Sequence, residues 1–245
     1  MKIPGVEVRR VARCGSTNSV LLQERDLAVP VLLVADEQSA GRGRRGRRWH
    51  SPARSGITFS LARCIRRPAR ELAALSLVAG VAAARALRSA GVAPAALKWP
   101  NDLVADGAKL GGILVETRVS GRRTLAVFGI GINLRGADEL ARHLHRRVAS
   151  LDQFIVPQEE DIIAGIVSCL MAAIDAFEAG GFETARQAWE SMHAHAGQRL
   201  RIRLADGRSV SGIAAGLAED GALSLRTRAG LRSIRSGRVV SARAA

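Results

Sequence analysis

The stretch DEQSAGRGRRGRRWHSP, residues 36–52, decides which fold the chain can have. It sets three glycines at G-x-G-x-x-G spacing and five arginines between residues 42 and 48. A dinucleotide-binding turn of that spacing needs a strand leading directly into it, a helix after it, and an acidic residue about 20 positions on. VLLVADEQ (31–38) is a short buried strand by its branched apolar run, but Ser39 and Ala40 separate it from the first glycine. RRWHSP follows, with Pro52 unsuited to a helix interior, and Glu71 lies too far on. As an anion-binding loop the segment makes better sense. Glycines let the backbone approach a ligand and expose N–H groups, arginines are forked donors, and Trp49 offers a flat face. A solvated, flexible loop is the competing reading.

The composition narrows the choice. The 245 residues suffice for one large domain plus a small one, and 47% hydrophobic content supports a packed core. The longest uncharged apolar run, Leu72 to Ala84, falls short of the about 20 residues a bilayer span takes. MKIPGVEVRRVAR carries no apolar signal-peptide core, and Cys14, Cys64 and Cys169 suit neither a disulfide framework nor a metal knuckle. A reduced, cytoplasmic protein is expected. The net charge of +15 invites a nucleic-acid reading, yet tyrosine is absent and aromatics make up 3% of the chain, leaving little to stack on bases. Arginine bias beside abundant alanine also follows from a GC-rich genome. Lysine occurs only at Lys2, Lys98 and Lys109, which singles out the last two as point charges placed for a chemical reason.

Along the chain, STNSVLLQER (16–25) starts a helix with Ser16, Thr17 or Asn18 available as cap, and ITFSLA (57–62) alternates as a strand. A helix is expected from Pro68 to Ser89, ended by Gly91, with further helices near 159–179 and 182–195. Asp106-Gly107 marks a hairpin turn, and LGGILVET (110–117) and TLAVFGIGINL (124–134) read as paired core strands. Beyond Gly197, short alternating strands with turns at Asp206-Gly207, Asp220-Gly221 and Ala229-Gly230 predict a small antiparallel barrel. That segment, 197–245, holds ten arginines against Asp206, Glu219 and Asp220, a net of +7, and has no aromatic residue.

Two stretches carry further chemistry. KWPND (98–102) presents an amide, Asn101, beside a carboxylate, Asp102; the pair suits a magnesium ion near phosphates, or merely an Asx-turn. If 97–104 and 109–117 form a hairpin, Lys109 returns close to Asp102, as a functional pair or as a weak surface ion pair. GIGINL (129–134) places glycines in an apolar strand, the mark of a bulge or of close approach by a ligand.

The ordered set STN (16–18), Gln38, GRGRRGRRW (41–49), KWPNDL (98–103), KLGGILVE (109–116) and GIGINL resembles the biotin protein ligases over nearly the whole chain. The related lipoate ligases share the fold but as a family lack the arginine–glycine signature, and a lipoate ligase is the alternative within the fold. The resemblance implies an α+β fold: a mixed-sheet catalytic domain of class II synthetase type with helices packed on it, residues 1–196, and an SH3-like barrel, 197–245. It implies a biotin–[biotin carboxyl-carrier protein] ligase. Such an enzyme makes biotinyl-5′-AMP from biotin and ATP with Mg²⁺, then passes biotin to one lysine of a carrier domain. Only about fifteen residues precede STN, so a monofunctional form without a DNA-binding domain is expected. No specific nucleic acid or membrane partner is expected, and a homodimer is compatible with the pattern.

By the same resemblance, Ser16, Thr17, Asn18 and Gln38 hold biotin, with Gly41, Arg42, Gly43, Arg44, Ser60, Lys109 and Gly111 around it. Arg42, Gly43 and Arg44 close over the carboxylate and the adenylate phosphate. Trp49 packs on adenine, while Arg44, Asn101, Asp102 and Asn133 serve the nucleotide. Asp102 is the expected magnesium ligand, and Lys109, Arg42, Arg44 and Asp102 form the catalytic set. The small C-terminal domain helps dock ATP or the carrier. No contact is assigned to 135–154.

Overall fold

Apolar residues in the central strands repeat every second position, which gives the sheet two unlike faces. In β3 (Gly56–Ile65), Ile57, Phe59 and Leu61 join the core while Thr58 and Ser60 face away. In β7 (Arg123–Asn133), registered against it, Phe128, Ile130 and Ile132 do the same, leaving Gly129, Gly131 and Asn133 opposite. The computed structural model describes residues 1–25, 27–50, 55–120 and 123–244.

Seven strands form one mixed sheet in the order β1-β2-β3-β7-β6-β5-β4. The others are β1 (Glu7–Cys14), β2 (Val31–Gln38), β4 (Ala96–Lys98), β5 (Asp102–Ala105) and β6 (Ala108–Ser120). β1 and β2 run parallel, and the remaining neighbours are antiparallel. A parallel pair needs a crossover, and here it carries the short helix α1 (Thr17–Leu21). The expected hairpin is present: Asp106 (φ 48) and Gly107 (φ 71) turn β5 into β6.

Helices α2 (Leu75–Ser89), α4 (Glu159–Gly180) and α5 (Glu183–Ser191) cover the apolar face. Leu75, Val78, Ala79 and Ala82 of α2 meet Ile163, Ile166, Val167 and Leu170 of α4 in the same core. Burying each Leu, Ile or Phe there contributes about 1.5–3 kcal/mol. Two helical runs, Ala69–Ser89 and Glu159–Gly180, are long and apolar enough to cross a membrane by length and composition; both pack into this core. The expected helix from Pro68 begins as a 3₁₀ stretch, Ala69–Ala74, and becomes α-helical only at Leu75. The last expected helix ends at Ser191 rather than 195, because residues 192–194 straighten to pair with Leu97 at the sheet edge. Two elements carried no clear sequence signal. β1 is an edge strand rich in arginine, and α3 (Ala137–Leu144) buries only Ala137 among its residues.

Beyond Gly197 come β8 (Arg199–Arg203), β9 (Ser209–Leu217), β10 (Leu223–Thr227), β11 (Gly230–Ile234) and β12 (Arg238–Arg243). They form an antiparallel sheet in the order β11-β10-β9-β8-β12, with Gly207, Gly221 and Gly230 at positive φ in the expected turns. The expected barrel does not close: β11 and β12 are not paired among the described residues. Flat, five strands would separate the two edges by roughly 19 Å. The link from Ile234 to Arg238 reaches only about 14 Å. The sheet therefore curls strongly, without its edges meeting. Its inner residues Leu200, Ile202 and Leu223 merge with the main core.

Candidate active site

The face of the sheet away from the helices forms the floor of a cleft of about 600 Å³. At one end α1 delivers buried polar groups. Ser16 holds the N-cap position, but its side chain makes no capping bond, and neither Thr17 nor Asn18 caps. These two turn onto the sheet instead. Thr17 N–H donates to Gln38 Oε1 at 2.8 Å, Thr17 Oγ1 lies 2.6 Å from Ser60 Oγ, and Ser60 Oγ donates to Asn18 Oδ1 at 2.6 Å. Thr17 Oγ1 also lies 3.1 Å from Gln38 Oε1, so two hydroxyl protons serve three contacts that tie Gln38, Thr17, Ser60 and Asn18 into one network. With Oε1 taken by Thr17, the Gln38 amide is oriented so that Nε2 is left as a donor for the cleft. Asn18 Nδ2 donates to Leu114 O at 3.1 Å and Glu116 Oε2 at 2.8 Å.

The glycines of GIGINL answer to these side chains. β7 runs without a bulge, in continuous register with β3 and β6. A Cβ at Gly129 would lie 3.0 Å from Asn18 Cγ and closer still to its Oδ1. One at Gly131 would lie 2.5 Å from Trp49 Cζ2 and 2.7 Å from its Nε1. Gly112, opposite Gly131 on β6, underlies the same indole. The close approach is by the protein's own Asn18 and Trp49.

The arginine–glycine segment folds into a small closed loop. Gly43 N–H donates to Arg47 O at 2.7 Å and Trp49 N–H to Gly41 O at 2.9 Å, around a 3₁₀ turn, Arg44–Gly46. Among the described residues no α-helix stands between β2 and β3, which removes the dinucleotide-turn reading; Pro52 lies outside the described residues. Arg42 Nη2 donates to both oxygens of Glu116, at 2.8 and 2.7 Å, and Arg45 Nη2 reaches Ser236 Oγ at 2.7 Å. Arg44 enters the cleft with Nη1 buried and unpartnered. Burial pushes its pKa down, Arg45 and Arg47 add to this, and Asp102 opposes it.

At the centre, Lys109 Nζ donates to Asp102 Oδ1 at 2.5 Å. The β5–β6 hairpin makes this pair, since Asp102 stands across from Gly112 and Lys109 from Val104. The pair is not a surface one, with side chains only 19% and 26% exposed. Burial lowers the Lys109 pKa, and Asp102 partly restores it. Lys98, Arg44 and Arg146 also act electrostatically on or near Asp102, so one carboxylate serves four cations. Burial lowers the Lys98 pKa as well, again against Asp102. Such a surplus of desolvated cations suits an anionic ligand.

The structure gathers Ser16, Thr17, Asn18, Gln38, Arg42, Gly43, Arg44, Trp49, Asn101, Asp102 and Lys109 around one cleft. Four expected residues do not line it. Ser60 is covered by Thr17 and Asn18, and Gly41 packs against the Trp49 backbone. Gly111 abuts Gly131 O, and Asn133 spends Nδ2 on Lys109 O at 3.1 Å and Ala149 O at 2.9 Å. Asn133 therefore holds the backbone of Lys109. Sequence reasoning missed Glu116, Arg146 and His195. Glu116 ends the KLGGILVE run, and its partners Asn18 and Arg42 are 98 and 74 residues away. Among the described residues no three His, Cys, Asp or Glu side chains converge as a metal cluster. Asp102 alone fits a magnesium ion that arrives with a triphosphate, since that ion takes one or two carboxylates plus phosphate oxygens.

Comparison with known proteins gives the family. Residues 1–133 match the model of the biotin/lipoate A/B protein ligase family, and residues 195–240 match the biotin protein ligase C terminal domain. The biotin--[acetyl-CoA-carboxylase] ligase of Paracoccus denitrificans is 35% identical over 242 residues, covering 94% of this chain and 98% of that protein. The bifunctional ligase/repressor BirA of Bacillus spizizenii is 34% identical over 209 residues; the match covers 84% of this chain but 64% of that relative's length. The biotin protein ligase of Aquifex aeolicus, solved in complex with biotin and ATP, superposes with a TM-score of 0.81 at 27% identity, over 98% of this chain and 99% of that one. A mixed sheet with a cation-rich cleft under a glycine–arginine loop, joined to a small antiparallel sheet, places the chain in the fold class of the biotin and lipoate ligases. The chain belongs to the biotin/lipoate A/B protein ligase family.

Proposed function

We propose that the chain is an ATP-dependent biotin protein ligase. It would form biotinyl-5′-AMP and then transfer biotin to one lysine of a biotin carboxyl carrier domain. The observation that carries this reading is the sequence of groups along one cleft: the polar Thr17–Asn18–Gln38 end, the Lys109–Asp102 pair, and the cations beyond. A ureido ring needs both donors and acceptors, and Gln38 Nε2 with the Ser16–Asn18 set supplies them; a lipoyl chain would want apolar walls.

In the first step the biotin carboxylate attacks the α-phosphorus of ATP, the bond to the β-phosphate oxygen breaks, and pyrophosphate leaves. Two anions must meet, so Lys109, Arg42 and Arg44 would offset their charge while Asp102 keeps Lys109 aimed. Asn101 would face the phosphates, and Asn133 would fix the Lys109 backbone. Asp102 would hold a magnesium ion that arrives with ATP, whose charge would screen the triphosphate. In the second step a lysine amine of the carrier attacks the acyl carbon, loses a proton, and AMP leaves. The mixed anhydride is prone to hydrolysis, so the 41–49 loop would shield it, with Trp49 against the adenine. Three free cysteines accord with a cytoplasmic setting.

Incubation with ATP, Mg²⁺ and either biotin or lipoate, followed by mass spectrometry, tests the proposal. Biotinyl-5′-AMP, and biotin on one lysine of an added carrier domain, are expected. A lipoyl product without a biotinyl one would overturn the assignment.

A further inference from the structure

The C-terminal sheet carries charge that the cleft chemistry does not use. In β8, Leu200 and Ile202 point into the core, so Arg199, Arg201 and Arg203 stand together on the outer face. β12 is registered so that Arg243 lies directly opposite Arg199 and Arg238 directly opposite Arg203. Like charges facing each other across an antiparallel pair weaken it. Among the described residues none of these five arginines forms an ion pair, since Asp206 and Asp220 are taken by Arg208 and Arg235 at the turns. Their other neighbours across the strands are Ser241 on β12 and Ser209, Ser211 and Ile213 on β9, none of them a carboxylate.

This face is continuous with the cleft. Arg238 belongs to both, standing near enough to Lys98 and Arg146 to repel them. We propose that the arginine face of β8 and β12 docks an acidic face of the protein whose lysine receives the acyl group. The proposal rests on the ligase reading above. A protein that inserts a lysine into the cleft must lie on the ground around its mouth, and Arg238 carries the arginine row to that mouth. Guanidinium forks pair with carboxylates in two-point contacts, and an open strand face can offer several at once. The absence of any aromatic residue between 197 and 245 removes base stacking and favours a protein over a single-stranded nucleic acid.

The test uses the full chain with Arg199→Glu, Arg201→Glu and Arg243→Glu together, none of which lines the cleft. Pyrophosphate release without acceptor reports adenylate formation. Transfer to a purified acidic biotin carboxyl carrier domain is followed across a salt series. Adenylate formation is expected unchanged, with kcat/KM for the carrier down about tenfold at low salt and its salt dependence flattened. The Arg→Lys versions of the same three positions should recover most of the loss. Normal adenylate formation with unchanged transfer overturns docking alone. So does a triple variant that loses DNA or RNA binding while transfer stays intact. No adenylate from the unaltered chain overturns the ligase reading and the docking proposal with it.

Discussion

Gly129→Ala is expected to cost stability through one side chain, Asn18. The new methyl would stand 3.0 Å from Asn18 Cγ and 3.2 Å from Nδ2, with Oδ1 closer still, so the amide must move by about 1 Å to reach ordinary contact distance. Asn18 is not free to do so. It is 3% exposed and holds Ser60 Oγ at 2.6 Å, Leu114 O at 3.1 Å and Glu116 Oε2 at 2.8 Å. A neutral bond contributes about 1 kcal/mol and one to a charged group about 1.5–3, so breaking two of them costs roughly 3–4 kcal/mol. Replacing a strand glycine returns about 0.5–1 kcal/mol. The net loss is about 3 kcal/mol, or on the order of 6–12 °C in Tm for a chain this long. Thermal melting with urea titration measures it. The decisive control is the double-mutant cycle: in an Asn18→Ala background the obstruction is gone, and Gly129→Ala should be neutral or slightly stabilising. Equal cost in both backgrounds, or wild-type stability for the single variant, would refute the account of the GIGINL glycines.

Lys109→Gln should lower the rate of adenylate formation by about 10²–10³ with melting unchanged, because it removes the central cation of the cleft; rapid-quench measurement of pyrophosphate checks it. Glu116→Gln keeps an acceptor for Asn18 but removes the charge that Arg42 holds. Retention of the adenylate should fall about fivefold, as expected for loss of a half-exposed ion pair near 1 kcal/mol, and a filter-dissociation assay reads it. His193 is buried against Trp189, and desolvation, aided by His195, lowers its pKa to about 4. Between pH 6.5 and about 4 the unfolded chain binds a proton that the folded chain refuses, so stability is full above 6.5 and declines as pH falls, by on the order of 3 kcal/mol in all. His193→Phe keeps the ring contact and should flatten that decline; urea unfolding at pH 7 and 4.5 would show an unchanged slope if this is wrong.

Much of the architecture was written locally. Asp106-Gly107 needs positive φ at both residues and the three C-terminal Xaa-Gly turns need it at the glycine, and the alternation in ITFSLA and TLAVFGIGINL marks strands within a few residues. The motif residues of the cleft were legible for the same reason, since KWPND and Lys109 lie on one hairpin. β1 and α3 escaped because neither has a complete apolar pattern: one is an arginine-rich edge strand and the other buries a single alanine. The barrel was overread because turns and alternation specify strands, not whether the outer two meet.

Partnership is where the sequence by itself stopped. It determined the residue types, the turns and the face each strand residue occupies, because those depend on neighbours a few positions away. Only the tertiary structure decided that Asn133 buttresses Lys109, that Glu116 joins Asn18 to Arg42, and that the strand glycines make room for Asn18 and Trp49. These contacts link residues 24 to 111 positions apart. Their distances follow from the order and register of seven strands, and no local pattern encodes that order.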